Sequence, residues 1–126
     1  MHNFKKLDIW IKSMDLASEI YLLTNSFPSI ERFGLISQMQ RSAVSIPSNI
    51  AEGSGRFSDK ELVRFLFISL GSASELETQL IISQRLEYIN NDEFEKISHL
   101  TGEIIRMLAA LIKSKNNGLL YNSENI

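Results

Sequence analysis

The chain has 126 residues, 44% of them apolar and 22% charged, with a net charge of −2. That is the size and composition of one globular domain with its own core, which excludes a disordered segment and a strong, indiscriminate polyanion binder. The absence of cysteine excludes a disulfide scaffold and thiol catalysis, and it suits a reducing cytoplasm. The opening MHNFKKLDIW has no apolar signal-peptide core, and no run of eighteen apolar residues follows it. A cytoplasmic protein with no membrane partner is expected. Two Pro and six Gly point to few, long elements.

The order of elements reads as all-α, a single up-down-up-down bundle domain over 1–126. No Val/Thr-rich alternating stretch suggests a strand. The first helix is expected over 7–25. Trp10, Met14, Ala17 and Tyr21 form one apolar stripe at helical spacing. Ile9, Leu16, Ile20 and Leu23 form a second stripe beside it. Phe27-Pro28-Ser29 ends the helix, because a residue before Pro resists helical geometry. The second helix is expected over 30–52, kinked at Pro47 and stopped by left-handed or extended backbone at Gly53 and Gly55.

The third helix is expected over 58–87. Ser58-Asp59-Lys60-Glu61 reads as a capping box. Leu62, Phe65, Leu66, Ser69, Ala73, Leu76 and Leu80 give a bundle-facing stripe. Gly71-Ser72-Ala73-Ser74 is a run of small residues, suited either to close approach of a neighbouring helix or to plain exposure. The fourth helix is expected over 92–115, capped by Asn91 or Asp92, with a frayed tail over 116–126. Gly102 interrupts its apolar pattern without an evident reason.

A bundle helix needs one apolar stripe. The first and third helices carry more. If Leu62, Phe65, Leu66 and Ser69 face the core, Val63, Phe67 and Leu70 lie on another side. The surplus predicts a homo-oligomer, with Ile9, Leu16, Ile20, Val63, Phe67 and Leu70 at its interface.

Catalytic constellations are absent from the sequence. Glu95, His99 and Glu103 share one helix face and form the sole candidate metal ridge. A di-iron bundle needs two Glu-x-x-His motifs; here the spacing is Glu-x-x-x-His, once. A Ser–His–Asp triad lacks a nucleophile elbow. Glu52-Gly53-Ser54-Gly55-Arg56 lacks the spacing of a phosphate loop. The chain therefore reads as non-enzymatic, with no cofactor, no metal and no small-molecule substrate.

One polar set stands out. Gln38, Arg41, Ser45, Asn49 and Glu52 recur at spacings of three, four, four and three, and Arg56 follows. The set is either a hydrogen-bonded seam or a binding surface, with Glu75 and Glu77 as candidate partners for the arginines. Basic residues favour the N-terminal half, through Lys5, Lys6, Lys12, Arg41, Arg56, Lys60 and Arg64. No helix-turn-helix, zinc-finger or RNA-recognition signature accompanies them.

The stretch from Gly34 to Gly53, GLISQMQRSAVSIPSNIAEG, resembles the "four helix bundle protein" family, also called 23S rRNA intervening sequence proteins. Phe4 to Trp10, Phe27-Pro28, Arg64-Phe65-Leu66 and Gly71 to Leu80 extend the resemblance over roughly residues 4–115. It implies a left-handed four-helix bundle assembled into a homopentameric ring, in bacteria, with no enzymatic activity and a largely undefined role. A similar group, the accessory variability proteins of diversity-generating retroelements, implies RNA or DNA as a candidate partner. A scaffold or adaptor is the function this suggests; a pure protein-protein module and a metal bundle on Glu95, His99 and Glu103 are the alternatives. The family often has two consecutive Arg where this chain reads Arg41-Ser42, which weakens the nucleic-acid implication.

Overall fold

The computed structural model describes the backbone of residues 3–124 and the side chains of residues 3–116. Four helices run α1 (Asp8–Thr24), α2 (Leu35–Ser54), α3 (Asp59–Arg85) and α4 (Asn91–Glu124), with short 3-10 turns at Phe4–Lys6 and Ser29–Glu31. Each packs on its chain neighbours, and α4 closes the bundle against α1. The result is an antiparallel four-helix bundle, and the described residues contain no strand.

Local chemistry sets the boundaries. Pro28 leaves Ser29–Glu31 as a separate turn, so α2 starts at Leu35 rather than at residue 30. Ser58 caps α3 as expected, its hydroxyl accepting from the Glu61 N–H at 3.2 Å. Glu61 does not reach back; its carboxylate takes the Arg64 guanidinium instead. α3 ends with Glu87 in the left-handed region at φ 62°. The Tyr88 and Glu87 N–H groups donate to the Ser83 and Gln84 carbonyls, which closes the last turn. The cap of α4 is Asn90, one residue before those expected, because its side chain accepts the Glu93 N–H at 2.8 Å.

Two helix ends differ from expectation. α2 runs through Gly53 and ends at Ser54, with Gly55 at its C-cap in right-handed rather than left-handed or extended backbone, and no glycine among the described residues has a positive φ. Gly53 serves packing instead: a Cβ there would sit 2.9 Å from Phe65 Cβ and 3.1 Å from Leu62 Cδ1. α4 extends past residue 115; its backbone is helical through Asn116-Asn117-Gly118 to Glu124, and no Pro removes a ladder bond there. The tail residues 125–126 lie outside the described residues.

The core joins all four helices through Leu16, Ile20, Met39, Ile46, Ile50, Leu66, Leu76, Leu80, Ile104 and Leu108, each almost without solvent access. It also holds Ser13, Thr24, Ser54, Ser83 and Thr101. Their hydroxyls bond carbonyls one turn back on their own helix, so none of these five is stranded. Ser69 instead donates to the Ile46 carbonyl of α2 at 2.9 Å.

α3 is less enclosed than its apolar content suggests. It is long and apolar enough to cross a membrane by length and composition, and 28% of its most apolar window is buried. Serines, Glu75 and Glu77 interrupt its apolar residues without making the helix polar overall. An outer face of α3 therefore carries apolar side chains that the bundle does not cover.

Candidate functional site

The polar set on α2 divides into two parts. Ser45 and Asn49 form a hydrogen-bonded seam. The Ser45 and Ser72 hydroxyls meet at 2.8 Å, and the Asn49 amide donates to the Ser45 carbonyl at 2.8 Å. Gln38, Arg41, Glu52 and Arg56 are exposed. Arg56 pairs with Glu52 one turn back, not with Glu75 or Glu77, and lies 4.9 Å over the Phe65 ring. Arg64 covers the same ring at 5.0 Å. Glu75 accepts a 3.5 Å hydrogen bond from Ser42. Arg41, Glu75 and Gln79 line an open polar groove of about 460 Å³ between α2 and α3. Gln79 Oε1 is buried there with no hydrogen-bond partner.

The larger groove is apolar. It lies between α1 and α2 and has a volume of about 780 Å³. Trp10, Met14, Ala17 and Tyr21 line it from α1, and Val44, Pro47 and Ala51 line it from α2. Met14 and Tyr21 are 42% and 46% exposed. Pro47 is buried at its floor and does not interrupt α2.

This placement corrects the expected interface. Ile9, Leu16, Ile20 and Val63 are buried in the protomer core, and Leu70 is half-buried against it. Of the six residues named, Phe67 alone stands on the surface, at 52% exposure. The stripe of α1 that faces outward is the one with Trp10, Met14 and Tyr21. One signal for this was available in the sequence: aromatic residues and Met are enriched at interfaces.

The candidate metal ridge is not assembled. Glu103 takes the Lys12 ammonium at 2.9 Å, and no group of three His, Cys, Asp or Glu gathers at metal-binding spacing among the described residues. Lys12 holds the Glu103 carboxyl below the usual carboxylate range, and the same hydrogen bond raises the Lys12 ammonium.

The basic residues group by bundle end rather than by sequence half. The start of α1, the end of α2, the start of α3 and residues 111–115 of α4 meet around one small apolar pocket. Lys5, Lys6, Arg56, Lys60, Arg64, Lys113 and Lys115 therefore share this end with fewer acids: Asp8, Glu52, Asp59 and Glu61. Phe57 stands there almost fully exposed. Lys12 and Arg41 lie farther along and outside the group.

Residues 5–110 match the family model described as 23S rRNA-intervening sequence protein. The chain belongs to that family. A solved structure from Bacteroides thetaiotaomicron VPI-5482, described as a protein with unknown function from the S23 ribosomal protein family, is 31% identical to this chain. The match covers 83% of this chain and 98% of that one, with a TM-score of 0.76. No curated protein matches this family member. The resemblance carried by the second and third helices is thereby confirmed at the level of family and fold.

Proposed function

We propose that this family member is a non-enzymatic, cytoplasmic subunit of a homo-oligomer that serves as a scaffold or adaptor. A homopentameric ring is the expected assembly. The observation that carries the reading is the uncovered apolar groove between α1 and α2. Leaving such side chains in water forgoes about 25 cal/mol for each Å² of apolar surface, and contiguous apolar patches of this kind mark interfaces. Light scattering or sedimentation at micromolar concentration tests the assembly: several chains per particle are expected, and a 14.3 kDa monomer overturns it.

RNA or DNA is the second partner proposed, and the basic end of the bundle is the surface that suits it. Phosphate contacts there make binding strongest at low salt. Salt-dependent binding of a structured RNA or a DNA duplex is expected at about 50 mM salt, weakened in a Lys5→Glu/Lys6→Glu/Lys60→Glu variant. No binding under those conditions reduces the role to protein scaffolding alone.

A further inference from the structure

We infer that the outer face of α3 on one copy seats in the α1/α2 groove of the next. The inference rests on the homo-oligomer reading and specifies how its copies join.

The groove needs an apolar occupant, because none of its lining residues is charged. Along α1 it runs from Trp10 to Asn25, about 22 Å at 1.5 Å per residue. The outer face of α3 offers a counterpart of that length. Phe67 and Ile68 at one end and Ile81 and Ile82 at the other are each at least 40% exposed. The two pairs are fourteen residues apart, almost four whole turns, so they stand on the same side of the helix about 21 Å apart. Between them Gly71, Ser74 and Thr78 are exposed, small and uncharged. The nearest carboxylate, Glu75, turns toward the α2/α3 polar groove and Ser42.

Gly71 adds an independent argument. A Cβ at this position would meet nothing within 4 Å, so the bundle itself has no use for a glycine there. An exposed helical Gly costs about 1 kcal/mol against Ala. A waist of small residues between two apolar pairs admits close approach by another chain. Groove and ridge are different surfaces on different helices. Their contact is head-to-tail and generates a ring when the rotation closes.

The experiment uses two variants of the full chain. Gly71→Arg blocks the ridge at a site open to solvent. Met14→Arg blocks the groove, with Ser48→Arg on the same groove as its replacement if circular dichroism shows loss of helix. Each variant alone is expected to be a folded monomer by light scattering. Mixed, they are expected to form a one-to-one pair and nothing larger, because one intact ridge and one intact groove remain between them. If Gly71→Arg assembles like the unmodified chain, or the mixed variants stay apart, the ridge-in-groove contact is overturned while the homo-oligomer reading stands. An unmodified chain that is monomeric overturns both. A monomer that instead floats with anionic phospholipid vesicles, and no longer does so as Gly71→Arg, assigns the α3 face to a lipid surface and overturns the contact between copies.

Discussion

Gly53 and Gly102 are both helical glycines, and one added methyl group tells them apart. At Gly53 it would press on Phe65 and Leu62 of α3; at Gly102 it would meet only the end of the Arg106 side chain, at 3.3 Å. Gly53→Ala should therefore lower stability by about 1–3 kcal/mol through overpacking. Gly102→Ala should raise it by about 1 kcal/mol, since the flexible guanidinium moves aside and the helix loses its poorest former. Urea unfolding of the two variants checks both signs; destabilisation by both would overturn the distinction. In the sequence alone, Gly53-Ser54-Gly55 reads as a helix stop. The actual constraint on Gly53 comes from Phe65, twelve residues onward, which no local pattern displays. The polar set divided for a similar reason: Ser45 meets Ser72 only after α2 and α3 pair.

The order and number of helices were legible because each carries its own period and its own punctuation. The inward face of α1 was not. Asp8, Lys12, Asp15 and Glu19 lie on a wheel opposite the Trp10–Met14–Ala17–Tyr21 stripe, which makes that stripe look like the core. In the fold the charged face turns toward α4 instead. Lys12 meets Glu103 at 2.9 Å, and Glu19 meets Lys96 at 3.7 Å. The helix is thereby rotated so that Ile9, Leu16 and Ile20 point inward. The Lys12–Glu103 pair gives this seam a pH dependence. Glu103 titrates below its ordinary 4.5, so its contribution is present above that value and is lost as pH falls through its folded pKa. Lys12 titrates above its ordinary 10.5, so its contribution is present below that value and is lost as pH rises through its folded pKa. Glu103→Gln should lower the melting temperature slightly near neutral pH. The gap to the unmodified chain should close on acidification past the carboxylate range. A gap that persists there would mean Glu103 acts through packing rather than charge.

At the scale of the molecule, the family and the all-α bundle followed from sequence, while the surfaces on offer did not. Surplus apolar content was visible in composition; which side chains it left outside depended on how each helix rolled in the assembled bundle. The polar connections among helices are also unevenly placed. Ser42–Glu75, Ser45–Ser72, Ser69–Ile46 and Ser83–Met39 all join α2 to α3. Among the described residues, the other side-chain hydrogen bonds between helices are Gln40–Thr24, from α2 to α1, and the charged Lys12–Glu103 pair, from α1 to α4. α1 and α4 are held by apolar contacts and partly exposed ion pairs, which contribute little. The α2–α3 hairpin should therefore outlast its neighbours when the protein opens partway. In native-state amide exchange, protons from Met39 to Ile50 and from Leu66 to Leu80 should be the slowest to leave, with those of α1 going earlier. Uniform loss from all four helices would show that the bundle opens only as a whole.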